Sequence, residues 1–142
     1  VVAGVGPLFD YLSKISGKNI KMIGKISNSE KIELIRGCRA IVLPSHLRSE
    51  AFGMVLIEAA MFGKPMISCE IGTGTSFVNL NMESGYVVPP RQPSELAKAM
   101  NNLSSDITVD KMGKNARKRF EMLFSGKALG VSYSNLYQEF LF

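Results

Sequence analysis

From Ala51 to Gly63 every residue is apolar or glycine except Glu58. A carboxylate set among apolar side chains carries a heavy desolvation cost unless it is paired, so Glu58 requires a partner. A neighbouring arginine, lysine or backbone amide would serve. A ligand would serve as well, because a carboxylate accepts two hydrogen bonds and suits a vicinal diol such as a ribose. Glu50 lies upstream with seven residues between the two carboxylates, and Phe52, Gly53 and Met54 stand between them where a helix is expected to start. The first turn of a helix offers unpaired N–H groups and the positive end of the dipole, which together bind anions, and a glycine there admits a ligand close to the backbone. The spacing therefore predicts a phosphate at the helix start, with Glu58 about one and a half turns further on and reaching the adjoining sugar. Glu50 would flank the phosphate on its other side.

Other chemistries are poorly supplied. There is one histidine, His46, and two cysteines, Cys38 and Cys69, so no zinc-ligand spacing exists and no metal site or protein-bound cofactor is expected. A serine triad would have to use His46, and no G-x-S-x-G elbow accompanies it. The cysteines sit in apolar stretches and read as small core residues of a reducing compartment. His46 and Arg48 flank the Glu50 loop, where each either touches a ligand or stays solvated.

The elements that must position these residues alternate. Val1 to Val5, Ile20 to Ile23, Ala40 to Leu43, Pro65 to Cys69 and Tyr86 to Val88 read as strands, each bounded by turn-forming residues. Pro7 to Ser16 and Ser29 to Cys38 carry apolar residues at helical spacing, with Ser27 or Asn28 as a cap for the second and Glu30 and Glu33 in its first turns. Strands alternating with helices imply βαβ units, and hence a Rossmann-like α/β fold with a parallel sheet covered by helices on both faces. Past Pro89, Pro90 and Pro93 the pattern is helical, over Ser94 to Leu103, Asp110 to Phe124 and Ala128 to Leu141. Lys111, Lys114, Arg117, Lys118 and Arg119 share the middle helix, as a solvated face or as a contact for an anionic surface.

At 142 residues with 46% hydrophobic and 20% charged content, the chain reads as a single domain, residues 1–142. No apolar run is long enough to span a bilayer and no signal peptide is present, so a cytoplasmic location is expected. The charge of +5, with a pI near 9.3, favours anionic partners. The stretch from Val1 reads as a strand cut in its middle, so the chain is expected to be a fragment of a larger protein.

The segment P-S-x-x-x-S-E-A-F-G-M-V-L-I-E-A-A-x-x-G-K-P, from Pro44 to Pro65, resembles the E-x7-E signature of retaining glycosyltransferases of the two-domain GT-B fold, family 4. The resemblance runs along nearly the whole chain. It takes in Val-x-Gly-x-Gly-Pro at Val2 to Pro7, Ile23-Gly24-Lys25-Ile26, and Gly85-Tyr-Val-Val-Pro-Pro90. It is to the C-terminal, nucleotide-sugar-binding half of that fold, and it makes the N-terminal acceptor domain the missing part. Ile71-Gly-Thr-Gly-Thr-Ser-Phe-Val-Asn79 departs from the family's usual Gly-Gly loop and resembles a subgroup that adds mannose or related hexoses to bacterial surface polysaccharides.

The resemblance implies that Glu58 binds the nucleotide ribose and that Glu50, nearest the reaction, positions hydroxyls of the transferred sugar. It places amides of Phe52, Gly53 and Met54 on the donor sugar or diphosphate, and the base against main-chain atoms of the Gly24 to Ile26 loop, including Lys25. Gly4 and Gly6 read as tight-turn residues lining the cleft, since the third glycine of a dinucleotide fingerprint is absent. Thr73 and its neighbours would meet sugar or phosphate, or form a polar turn. The implied reaction is a front-face displacement with retention, using GDP-mannose or a UDP-hexose and a glycan or lipid-linked acceptor. An Arg and Lys pair that the family uses at the leaving group would lie upstream of Val1, so the fragment alone is expected to be inactive. Peripheral contact with an anionic membrane fits the charge; nucleic acid does not fit the motif. Three other readings stay open: a sugar-nucleotide epimerase, a dinucleotide-dependent oxidoreductase and a non-catalytic nucleotide-sugar-binding module.

Overall fold

The structure is a computed structural model that describes residues 1–141. It divides into two compact units, residues 1–34 and the residues from Ile35 onward.

In the first unit β1 (Val2–Ala3) pairs in parallel with β2 (Met22–Gly24), Val2 opposite Met22 and Ala3 opposite Gly24. Gly4 N–H continues the pairing by donating to Gly24 C=O at 2.8 Å. The intervening helix α1 (Phe9–Ile15) begins later than the sequence pattern suggests, because Phe9 N–H closes a turn onto Gly6 C=O at 3.0 Å. Helix α2 (Asn28–Gly37), within which the boundary between the units falls, starts on a reciprocal cap. Ser27 N–H donates to Glu30 Oε2 at 2.8 Å while Glu30 N–H reaches back to Ser27 Oγ at 3.3 Å. The Ser27 N–H, and then the Ser27 hydroxyl donating to the same Oε2 at 2.7 Å, hold the exposed Glu30 carboxyl below the usual carboxylate range.

In the second unit β3 (Ile41–Leu43), β4 (Met66–Cys69) and β5 (Gly85–Val88) form a parallel sheet in that order, with Ile41, Met66 and Gly85 in one register row. Parallel neighbours need crossovers, supplied by α3 (Met54–Met61) and the single-turn α4 (Thr75–Val78). Every residue of the central strand β4 is buried. Met66 belongs to a core with Leu56, Ala59, Ala60, Val78 and Ala116, whereas Ile67 packs with Val88, Ala99, Leu103 and Met112. The period of two along β4 thus puts an apolar layer on each face of the sheet.

Beneath α4, buried Asn79 donates from Nδ2 to Ser68 Oγ and to Tyr86 C=O, both at 3.0 Å, and accepts from Ser84 Oγ at 3.2 Å. This network ties β4 to β5. It leaves no room at Gly85, where a Cβ would stand 1.9 Å from Met66 C=O.

After β5 come α5 (Pro93–Asn102), with proline in its first turn, and α6 (Asp106–Arg119). The sequence pattern places one helix over Asp110 to Phe124; α6 starts at Asp106 because Ser105 Oγ caps it, accepting from Thr108 N–H at 3.4 Å. Arg39 adds a clamp by donating to Leu103 C=O, Ser104 C=O and Asp106 Oδ1. At its far end the helix widens into a π-helical turn, Phe120–Phe124, closed by Ser125 N–H on Phe120 C=O at 2.9 Å. Helix α7 (Gly126–Leu141) follows. Among the described residues no helix is long and apolar enough to cross a membrane.

Candidate functional site

In an open parallel sheet ligands sit beyond the carboxyl ends of the strands. In the second unit that edge carries the loops leaving Leu43, Cys69 and Val88, since the three strands run in register. The first of these loops holds Glu50 and leads into α3.

Gly53 stands at the N-cap of α3 with φ 74° and ψ 64°, a left-handed conformation that glycine adopts without steric cost. Its N–H donates to Glu50 Oε1 at 3.0 Å. The Glu50 carboxylate therefore lies over the positive end of the helix, where a negative charge is stabilised. Leu56 N–H is taken by Gly53 C=O at 2.8 Å, and the first turn leaves Met54 and Val55 N–H without intrahelical acceptors. A Cβ at 53 would lie 2.9 Å from Leu56 Cδ1 and 3.1 Å from Leu43 Cδ2. Backbone conformation and packing against those leucines demand glycine there.

Helix α3 is not buried all round, contrary to what its composition implies. Leu56, Ala59 and Ala60 face the core, while Met54 is 64% exposed. Residues four apart share a helix face, so Glu58 follows Met54 about 6 Å further along the axis. Glu58 is half-buried rather than fully buried, and it is engaged with a partner.

The loop after β4 is organised by Glu70, which the sequence pattern does not single out. Glu70 Oε1 accepts from Gly72 N–H at 2.9 Å and from Ser76 Oγ at 3.3 Å. Thr73 Oγ1 is 3.3 Å from Thr75 Oγ1, and Thr75 is buried at the start of α4. The expected polar turn is thus the lead into a helical turn. It is fastened to the Glu50 loop by Gly74 N–H on Ala51 C=O at 2.8 Å. Arg48 lies against the same segment, its Nη1 3.6 Å from where a Gly72 Cβ would stand. His46 lines a separate cavity of about 180 Å³ at this edge, together with Pro44, Cys69, Val88, Arg91 and Leu96.

Glu50, Phe52, Gly53, Met54, Glu58 and Thr73 all belong to the second unit, and Gly4, Gly6, Lys25 and Ile26 to the first. Within the first unit, Gly4 has φ 137° and is bonded to Gly24, so the Gly4 turn and the Gly24 to Ile26 loop stand together at the carboxyl ends of β1 and β2. Among the described residues, and leaving out the chain neighbours, no atom lies within 4 Å of where a Cβ would stand on Gly4 or Gly6.

Of the basic cluster on α6, Lys114, Arg117 and Lys118 line one cavity, and Arg119 is not part of that lining. Arg117 stays exposed while it donates to Met61 C=O and pairs with Glu121 at 2.7 Å, and the half-buried Arg119 donates to Phe77 and Val78 C=O. Lys114, Arg117 and Lys118 border this larger cavity, about 670 Å³, with Arg39 and Lys64, residues that precede β3 and β4. That cavity sits at the amino edge of the sheet, away from Glu50. Cys38 also lines it; burial pushes its thiol pKa up, with nearby Lys64 acting in the opposite direction, and burial raises that of Cys69.

The sequence profile of the family described as Glycosyl transferases group 1 matches residues 1–119. The chain is 42% identical over 146 residues to O-antigen chain mannosyltransferase C of Escherichia coli, covering 99% of this chain and 39% of that protein. It is 44% identical over 130 residues to D-rhamnosyltransferase WbpZ of Pseudomonas aeruginosa, covering 88% of this chain and 34% of that one. Among solved structures, sucrose-phosphate synthase from Thermosynechococcus elongatus superimposes with a TM-score of 0.78 at 28% identity, over 93% of this chain and 33% of that one. The chain thus spans between a third and two fifths of the length of these relatives.

Proposed function

Since the chain belongs to the glycosyl transferases group 1 family, with the α/β fold of the GT-B enzymes, we propose that it binds the nucleotide-diphosphate sugar donor of a retaining hexosyltransferase. The observation that carries this reading is the start of α3. The Glu50 carboxylate rests on Gly53 N–H, Met54 and Val55 N–H are left for an anion, and Glu58 follows one turn along the same face. A diphosphate oxygen accepts from the two amides. Glu58 then takes the ribose hydroxyls, and Glu50, whose Oε1 is used by Gly53, offers Oε2 to a hydroxyl of the transferred sugar. The contacts that the resemblance assigns to Phe52 and Thr73 belong to the same proposal, and those it assigns to Gly4, Gly6, Lys25 and Ile26 are proposed for the first unit by itself.

For the chemistry we infer a front-face displacement. The acceptor oxygen bonds to the anomeric carbon as that carbon's bond to the diphosphate breaks, and the acceptor proton passes to a diphosphate oxygen. Retention follows because attack and departure share one face. This chain's part is positioning and stabilisation of the leaving charge by helix-terminal amides.

Relatives whose names specify mannosyl and rhamnosyl transfer support a hexose or deoxyhexose donor. GDP-mannose is the first candidate and a UDP-hexose the second. The acceptor is a glycan or lipid-linked saccharide of a surface polysaccharide. Because the chain covers 39% of the mannosyltransferase it resembles, we assign it donor binding rather than complete transfer.

Calorimetric titration of the full-length enzyme with GDP and UDP, followed by transfer assays with the matching sugar donors, tests the reading. One nucleotide is expected to bind, and Glu58→Ala is expected to weaken it about tenfold or more, the effect of losing hydrogen bonds to a charged group. Unchanged affinity in the variant removes the ribose assignment. Absence of nucleotide binding removes the function, and sugar transfer by the 142-residue chain alone overturns its restriction to donor binding.

A further inference from the structure

The π-helical turn Phe120–Phe124 lies far along the chain from both loops assigned to the donor, yet one of its rings touches both. Phe124 meets Phe52 edge to face at 6.1 Å between centroids and 79° between planes. It meets Phe77 in the same manner at 5.8 Å and 89°. Phe52 lies between Glu50 and Gly53; Phe77 is on α4, directly after the Thr73 loop. Arg119, at the end of α6, donates from Nε to Phe77 C=O at 3.2 Å and to Val78 C=O at 3.3 Å, so it caps the carboxyl end of α4. Its guanidinium lies 5.1 Å from the Phe77 ring centroid and 5.9 Å from that of Phe124.

The two loops also meet directly. Besides the Gly74 to Ala51 hydrogen bond, a Cβ on Gly74 would stand 2.2 Å from Phe52 Cδ2, so the backbone of one loop packs on the ring of the other. Phe52 and Phe77 are 37% and 54% exposed, so each ring has one side in solvent and takes its support from the other. Phe124 supplies that support to both. The i→i+5 closure of its turn brings Phe120 and Phe124 onto the same core, alongside Leu56 and Val78.

We propose that Phe124, with Arg119 beside it, is a positioning residue for the donor: one ring that holds the Glu50 loop and the Thr73 loop in a single arrangement before the nucleotide sugar arrives. It touches no substrate. Its effect is preorganisation, since loops already ordered do not charge their ordering entropy against binding. The inference rests on the reading that these two loops bind the donor.

The test is steady-state kinetics of the full-length enzyme with the donor and acceptor varied separately. In Phe124→Leu, which keeps apolar volume and loses both edge-to-face contacts, donor KM is expected to rise about five- to tenfold with acceptor KM unchanged. Phe124→Tyr, which restores the ring, is expected to return donor KM to within about twofold of wild type. Phe120→Leu changes a ring of the same turn that stacks on Arg117 instead, and is expected to leave donor KM unaltered. Phe77→Leu, at a half-exposed ring whose loss does not threaten folding, is expected to raise donor KM in the same direction. Unchanged donor KM in Phe124→Leu or Phe77→Leu overturns the proposal. So does a Phe120→Leu effect equal to that of Phe124→Leu, which would mark a purely structural role. Failure of the wild-type enzyme to transfer sugar would refute the underlying function instead, and so reads out separately.

Discussion

Replacing Glu50 separates two jobs assigned to one carboxylate. In the structure Oε1 accepts from Gly53 N–H at 3.0 Å and so completes the amino end of α3; in the proposed reaction the same group holds a sugar hydroxyl. Glu50→Ala removes both. Loss of the Gly53 hydrogen bond costs about 1 kcal/mol, within a range of about 0.5–1.5, and in a chain of this size that lowers Tm by about 3–5 °C. Glu50→Gln keeps a carbonyl oxygen where Oε1 stands and forfeits only the attraction between the charge and the helix end, about 0.3–1 kcal/mol, so Tm falls by about 1–3 °C. For transfer the ranking differs. Both variants lose a charged acceptor worth about 1.5–3 kcal/mol to a hydroxyl, and kcat/KM drops roughly 10- to 100-fold in each. Differential scanning fluorimetry gives the first ranking and a transfer assay on the full-length enzyme gives the second. Wild-type kcat/KM in Glu50→Gln would refute the sugar contact, and equal melting of the Ala variant and wild type would refute the stabilising role of the Gly53 hydrogen bond.

Two further predictions concern packing and titration. Gly85→Ala puts a methyl 1.9 Å from Met66 C=O and 2.7 Å from Asn79 Oδ1, where the oxygen can withdraw only if β5 parts from β4. Urea unfolding should show a loss of about 3–5 kcal/mol from overpacking and broken hydrogen bonds, and a loss under about 1 kcal/mol would contradict the geometry. Burial raises the pKa of the Cys38 and Cys69 thiols above its unfolded value, so the stability they contribute is fully present below that value and is lost as pH rises through the folded one. Urea unfolding energies should decline above about pH 8.5, and decline less steeply in a Cys38→Ala/Cys69→Ala variant; parallel curves would exclude the thiols as the cause.

What was legible in the sequence was mostly local. Ser27 and Glu30 stand three apart, and that spacing alone builds the reciprocal cap that starts α2. The β-branched runs bounded by Gly, Pro and Asn became parallel strands, with helices on both faces of the second unit's sheet. Glu50 and Glu58 were found from one polar position in an apolar run and a fixed interval, because both flank the same helix start. Where local patterns compete, the bounds shifted: α6 begins at Ser105's cap rather than at Asp110, and its end opens into a π turn that apolar spacing does not distinguish from α-helix.

The sequence by itself determined the family resemblance, the alternation of strands and helices, and the two carboxylates, since each is written in neighbouring residues. Tertiary structure decided what those residues touch. It gave Gly53 a conformational and packing reason, tied Arg117 to Met61 C=O and Arg119 to the end of α4, and set Phe124 under Phe52 and Phe77. Contacts between residues so far apart in the chain form only after the strands and helices have packed, and no spacing in the sequence encodes them.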